Sequence, residues 1–162
     1  MGVARYYTAQ FIAILVCLCA SFSCKSGDPE KDAIQRTVAK YNTAIIIAYK
    51  ELNMSPLQEI ASEGHVSKVK IIINSYLEAN QIMIADILKV NIKEIKIEGE
   101  KATAKTSEDW KYKWIDNKTG KDVEPLKDIH YEMFYKMIKK DGKWIVEAVE
   151  EVTEGSAAKG SS

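Results

Sequence analysis

The chain has 162 residues, of which 46% are hydrophobic and 28% are charged, and its formal net charge at pH 7 is zero. This composition is typical of an ordinary globular protein of one domain. Because the sequence has no surplus of basic residues, binding to nucleic acid has no electrostatic support.

The N-terminus has the layout of a secretory signal peptide. A single basic residue, Arg5, precedes an unbroken apolar run over residues 11–20, and Ser21-Phe22-Ser23-Cys24 follows before the chain turns polar. The apolar run is shorter than the ~20 residues that a membrane-spanning helix needs. A cysteine directly after small residues at the end of such a run resembles the lipobox of bacterial lipoproteins.

This resemblance implies a signal peptide over residues 1–23, a lipidated Cys24 and a short tether over residues 24–32. By the sorting rule known for such lipoproteins, Lys25 favours the outer membrane if the host has two membranes. Two alternatives stay open: a signal peptide cut after Ala20 or Ser23, which releases a soluble secreted or periplasmic protein, and an uncleaved anchor. All three cysteines lie at or before position 24, so the exported domain contains no internal disulfide.

The first half of the chain reads as helical. Asp28-Pro29 is a start signal for a helix whose apolar positions recur at helical spacing up to Leu52. Ser55-Pro56 predicts a second helix that ends at Glu63-Gly64, and a third helix follows from about His65 to Asn80.

The second half reads as strands. We expect a strand over residues 88–98, with a bulge between Ile92 and Ile95 where the alternation of apolar residues breaks. Turns at Gly99-Glu100 and Asp141-Gly142 and a loop over residues 116–128 separate three further strands, over residues 102–114, 130–140 and 143–152. Residues 153–162 are small and polar and are predicted to be a disordered tail.

Helices followed by an antiparallel meander predict an α+β fold, with the N-terminal helices packed on one face of a curved four-stranded sheet. The closing stretch, with Asp141-Gly142 followed by Lys143-Trp144-Ile145-Val146, resembles the end of many members of the nuclear transport factor two-like superfamily. The resemblance covers roughly residues 30–152 and implies a cone-shaped domain, which we place at residues 33–152. Its members include isomerases, hydratases, cyclases and plain interaction domains, so it implies no single activity.

Candidate catalytic residues are few. Glu108 lies in phase with the apolar residues of its strand, so it points into the cone, where a carboxylate in an apolar pocket can act as a base. Asp109 and Tyr131 are the other candidate acids or bases. His65 at a helix start is expected to be an ordinary surface residue, and His130 at a strand start is expected to be structural. The sequence shows no metal-ligand spacing and no cofactor-binding motif, so we expect neither a metal nor a cofactor.

Two aromatic stripes have the spacing of strands. Trp110, Tyr112 and Trp114, together with Phe134, are expected to form core or the wall of a ligand pocket. Tyr131, Met133, Tyr135 and Met137 lie on the face of their strand opposite Phe134, and we expect them to form a dimer face because both sides of that strand are apolar.

These features favour a non-catalytic, membrane-tethered domain that binds a protein partner or a small apolar ligand at the cell envelope. We do not expect nucleic acid among its partners. The alternatives are an enzyme with acid and base residues in the cone, and a structural envelope protein that acts through dimer contacts. Pocket geometry discriminates between them, because an enzyme needs an open cone with convergent polar groups.

Overall fold

A long helix, α1 (Pro29–Glu51), opens the part of the chain that the computed structural model describes, residues 27–152. Its start follows from Asp28, whose side chain accepts a hydrogen bond from the Glu30 amide at 3.1 Å, and from Pro29 in the first turn. Residues 29–32, predicted as part of the tether, are therefore helical. The expected signal peptide 1–23, Cys24 and the tail 153–162 lie outside the described residues.

Two shorter helices follow, α2 (Ser55–Gln58) and α3 (Glu63–Glu78). The prediction that the second helix runs to Glu63-Gly64 is wrong, because Ser62 caps α3 by accepting a hydrogen bond from the His65 amide at 3.3 Å. Gly64 lies inside the first turn of α3 instead of ending α2. No helix in the described part of the chain is both long enough and apolar enough to span a membrane.

Four strands form one antiparallel meander in the order β1-β2-β3-β4: β1 (Gln81–Glu98), β2 (Lys101–Asp116), β3 (Lys127–Lys140) and β4 (Lys143–Glu151). The predicted bulge is confirmed by a register shift between Ile92 and Glu94, and a second shift lies between Ile87 and Lys89. β1 begins seven residues before the predicted Leu88, because its first half pairs with the far end of β2 from Gln81 onward. Asp141 and Gly142 have φ of 50° and 76°, as expected for the tight turn of a hairpin.

The core lies between α1 and the inner face of the sheet. α1 contacts β1 and β4, which are the two edge strands, so the sheet curves around the helix. The buried residues of α1 meet those of β2, β3 and β4, namely Ile34, Val38, Tyr41, Ile45, Ala102, Ala104, Tyr135, Met137, Trp144 and Val146. The predicted architecture of helices on one face of a curved four-stranded sheet is confirmed.

The segment between α2 and α3 closes part of the free edge of β4. Ala61 pairs with Val146 as a parallel bridge, the Ser62 amide donates to the Val146 carbonyl, and the Val146 amide donates to the Ile60 carbonyl, both at 2.9 Å. These bonds satisfy edge groups that would otherwise be open to pairing with another chain. They also fix the position of α2 beside the β3–β4 hairpin.

Candidate functional site

Glu108 lies at the centre of the cone and is completely buried. Its Oε1 accepts hydrogen bonds from the Thr106 hydroxyl at 2.6 Å and the Tyr135 hydroxyl at 2.7 Å, and its Oε2 accepts one from the Trp110 indole at 2.9 Å. The Asn42 amide nitrogen of α1 lies 3.4 Å from Oε1. We call these five residues the Glu108 cluster, and every neighbour presents a donor to the carboxylate.

The cluster arises from the alternation of β2. Thr106, Glu108 and Trp110 are two residues apart, so their side chains share the inner face of the strand. Tyr135 reaches them from β3 and Asn42 from α1. The structure thus confirms that Glu108 points into the cone.

The Tyr135 hydroxyl of the Glu108 cluster has one proton and two possible acceptors. The Tyr135 hydroxyl carries one proton and lies 2.7 Å from Glu108 Oε1 and 2.9 Å from Asn42 Oδ1, so it donates to one of them at a time. No buried side-chain nitrogen or oxygen in residues 27–152 lacks a hydrogen-bond partner. The cluster is therefore a satisfied polar network within an apolar core.

A second polar pair, Tyr41 and His65, lies next to the cluster. The Tyr41 hydroxyl is 2.7 Å from His65 Nε2, and the Tyr41 ring meets the Tyr135 ring edge-to-face at 5.8 Å between centroids. Burial lowers the pKa of His65, with a smaller effect from Lys68, so the imidazole stays neutral and accepts a hydrogen bond from the Tyr41 hydroxyl. His65 is therefore a buried part of the fold, and the expectation that it is a surface residue at a helix end is wrong.

The buried tyrosines keep their protons. Burial raises the pKa of Tyr135, and the Glu108 charge and hydrogen bond raise it further. The pKa of Tyr41 is also raised, first by burial. Neither hydroxyl therefore acts as a base at neutral pH.

Two grooves on the described surface do not reach the Glu108 cluster. A groove of about 910 Å³ lies outside the sheet between α1, α2 and the β3–β4 hairpin, and a small one of about 70 Å³ lies at the start of β2. Glu108 lines neither of them. An active site needs a pocket that admits substrate to the acid or base, and Glu108 has no such access here.

A group of half-buried aromatic residues lies where β2 and β3 extend past the core. The Trp114 and Tyr76 rings stack with centroids 4.0 Å apart, and the Trp110 and Tyr131 rings meet edge-to-face at 6.1 Å. Burial, with smaller effects from Tyr76 and Tyr131, raises the pKa of Tyr49 to about 12. We call this group the aromatic rim, and it consists of Tyr49, Tyr76, Trp110, Tyr112, Trp114 and Tyr131.

Asp109 lies on the opposite face of the sheet from Glu108. Its Oδ1 is 2.6 Å from His130 Nδ1, while His130 Nε2 lies 3.2 Å from the Ser107 hydroxyl and 3.3 Å from Glu132. The Asp109 hydrogen bond, followed by that of Glu132, raises the pKa of His130 and favours its charged form. His130 lies at ion-pair distance from both Asp109 and Glu132, and we call these residues, with Ser107 beside them, the ion-pair network.

The three candidate catalytic residues therefore do not converge. Glu108 and Tyr131 are paired across β2 and β3 on the inner face, whereas Asp109 faces outward. No group of three or more histidine, cysteine or acidic side chains in residues 27–152 is arranged to hold a metal ion. Asp109 contacts Nδ1 of His130 and Glu132 contacts Nε2, so the two carboxylates do not lie around one metal position beside the imidazole.

The expected dimer face needs correction. Tyr135 and Met137 are each 1% exposed and pack in the core of this chain, and Met133 packs against that core. Phe134, expected in the core or pocket wall, lies on the other face of β3, where Lys136 Nζ is 5.9 Å from its ring centroid. Because both faces of β3 carry apolar residues, the alternation did not show which face is the core, and the prediction chose the wrong one.

Comparison with solved structures shows the fold. The intermembrane space region of the chloroplast protein ARC6 aligns with a TM-score of 0.66 at 10% identity, covering 80% of this chain and 99% of that one. A ketosteroid isomerase-like protein from Erwinia carotovora aligns with a TM-score of 0.55 at 12% identity, covering 78% and 99%. A hexachlorocyclohexane dehydrochlorinase from Novosphingobium barchaimii aligns with 0.55 at 10% identity, covering 79% and 91%.

These similarities confirm the nuclear transport factor two-like, α+β cone fold expected from the sequence. At such low identity they show the fold alone, and the aligned proteins include both enzyme-like and other proteins. No protein-family model and no curated protein sequence matches the chain.

Proposed function

We propose that this protein is a lipoprotein domain, tethered to the membrane through Cys24, that binds a protein partner at the cell envelope without catalysing a reaction. The proposal places it on the outer membrane if the host has two membranes. The observation that carries the non-catalytic part is the Glu108 cluster, whose carboxylate is inaccessible and already accepts three short hydrogen bonds.

A catalytic carboxylate must touch its substrate, and Glu108 would have to give up its present partners to do so. Asp109 is held by His130 on the outer face, and Tyr131 packs against Trp110. Glu108, Asp109 and Tyr131, the three candidate catalytic residues, thus each make a contact within the folded domain. The cone interior is better explained as core than as an active site.

The aromatic rim is the surface that we assign to the partner. Tyrosine and tryptophan supply large contact area with few rotatable bonds, and they are enriched at the centres of protein interfaces. The six residues come from α1, α3, β2 and β3, so the folded domain holds them in fixed positions. All six side chains are half-buried and therefore partly open to solvent, and this favours a protein surface over an enclosed small apolar ligand.

The fold is compatible with such a role. The aligned region of ARC6 belongs to a compartment between two membranes, which is the kind of location that we propose here. Tyr135 and Met137 are buried in the core, so they are not available for the dimer contact that the structural alternative requires. A homodimer through the rim itself is one form that the protein partner can take.

Site-specific photo-crosslinking in intact cells tests the proposal. A photoreactive residue replaces Tyr112 on the rim, and a matched control replaces Lys105, which lies on the exposed outer face of the same strand. We expect a protein-sized adduct from position 112 and none from position 105. Equal adducts from both positions, or none from position 112, contradict the proposal, and an adduct of small mass favours the apolar ligand instead.

A further inference from the structure

The groove of about 910 Å³ has three walls of different chemistry. α1 contributes one wall, α2 and the residues after it contribute the second, and the β3–β4 hairpin contributes the third. Its apolar lining includes Ala33, Ala44, Ile60 and Ile145. Its charged lining consists of Arg36, Lys40, Lys143 and Glu59.

The three cations of the groove have no ionic partner in the part of the chain that the structure describes. Arg36, Lys40 and Lys143 are exposed, and no carboxylate among residues 27–152 lies within 4.0 Å of any of them. Glu59 shares the groove but pairs with none of the three. Elsewhere most lysines of the sheet form ion pairs, for example Lys93 with Glu132 and Lys136 with Glu150.

The spacing of these cations is unfavourable without an anion. Arg36 and Lys40 are one helical turn apart, and two like charges in that arrangement repel each other. Lys143 faces the same groove from the hairpin. An anionic group bound in the groove would relieve this repulsion, and the arginine fork suits the oxygens of a phosphate.

The groove also lies close to the proposed anchor point. Cys24 precedes the start of α1 at Pro29 by five residues, which span at most about 17 Å when fully extended. Glu30 fixes the start of α1 to the hairpin, because it accepts hydrogen bonds from Lys139 at 2.7 Å and from the Trp144 indole at 2.9 Å. Arg36 follows within about 10 Å along the helix axis.

We propose that this groove binds the headgroup of an anionic phospholipid in the membrane that carries the lipid anchor. The inference rests on the proposed tethering at Cys24 for its choice of ligand. Arg36, Lys40 and Lys143 contact the phosphate, and the apolar lining faces the glycerol backbone. This contact supplements the acyl chains, and it holds the domain with one side on the bilayer and the aromatic rim available to a partner.

Vesicle co-sedimentation tests the proposal without depending on lipidation. A chain of residues 24–162 with Cys24→Ser contains every residue of the hydrophobic core that the structure describes. Its binding is compared on phosphatidylcholine vesicles and on vesicles that also contain phosphatidylglycerol. The test variant is Arg36→Glu/Lys40→Glu/Lys143→Glu, and the control variant makes the same charge change at the exposed Lys70, Lys89 and Lys118.

We expect binding to the anionic vesicles that weakens with added salt, and little binding to the neutral ones. Each cation contributes roughly a fivefold increase in partitioning, so the groove variant should bind about 100-fold more weakly than the control variant. Circular dichroism confirms that both variants are folded.

Equal losses in the two variants would overturn the proposal, as would equal binding to neutral and anionic vesicles. Groove-dependent binding of inorganic phosphate without vesicle binding would also overturn it and identify a free phosphate ligand instead. Because the protein used is not acylated, none of these outcomes bears on whether Cys24 is lipidated in the cell.

Discussion

Replacing Glu108 with leucine separates a structural role of the Glu108 cluster from a catalytic one. Leucine has a similar volume but accepts no hydrogen bond, so the Thr106 hydroxyl and the Asn42 amide lose their shared acceptor. Tyr135 keeps Asn42 Oδ1 at 2.9 Å, and the Trp110 indole is not counted among the buried donors because Trp110 is only half-buried. Two buried donors at about 1–3 kcal/mol each predict a loss of about 2–6 kcal/mol in the free energy of unfolding.

Glutamine at position 108 is the matched control. Its carbonyl oxygen can take the place of Oε1 and keep the Thr106 hydroxyl, the Tyr135 hydroxyl and the Asn42 amide as donors. Its amide nitrogen then faces the half-buried Trp110 indole, which is the single donor that loses its acceptor. We therefore expect Glu108→Gln to cost about 1 kcal/mol, well below the leucine variant.

Urea unfolding followed by tryptophan fluorescence measures both values from the midpoint and the slope. Catalytic residues are often held at a cost to stability, so their removal frequently leaves a protein equally or more stable. A leucine variant as stable as the wild type would therefore refute the structural role. So would equal costs for leucine and glutamine.

Three further predictions follow from the same structure. Leu57 is fully buried and is the buried residue of α2, so Leu57→Ala should lower the free energy of unfolding in urea by about 2–5 kcal/mol. A loss below about 1 kcal/mol would contradict the role of Leu57 in holding α2 to the core. The lowered pKa of His65 means that the unfolded chain binds this proton first, so stability falls below about pH 6.5. His65→Gln should flatten that loss in urea midpoints measured from pH 7.5 to 5.5. The raised pKa of His130 acts in the opposite direction, so its charged form adds stability at low pH that is lost as the pH rises through the folded pKa. His130→Gln should therefore lower stability at pH 5.5 and have no effect above the folded pKa. An equal effect at pH 5.5 and above the folded pKa would contradict the assignment of His130 to the ion-pair network.

The orientation of β2 was predictable because its alternation is unbroken from Ala102 to Trp114. A period of two over so many residues leaves one choice of inner face, and it places Glu108 and Trp110 together. The Asp141-Gly142 turn was equally clear, because it requires positive φ at both positions. These local rules are strong where each residue agrees with its neighbours.

The partners of Glu108 were not predicted, because they come from distant parts of the chain. Asn42 follows Val38 by one helical turn and so lies at a core position of α1, and a polar residue there is the sequence feature that could have indicated the cluster. The faces of β3 were assigned incorrectly because Phe134 and Tyr135 are both large and apolar enough for the core. Only the pairing with β2 decides between them.

The proposal that the domain is tethered to a membrane is tested most directly by the intact mass of the protein in the membrane fraction of cells expressing the full chain. We expect a mass equal to residues 24–162 plus acyl chains. A soluble, unmodified product would contradict the tether, and with it the membrane contact assigned to the groove.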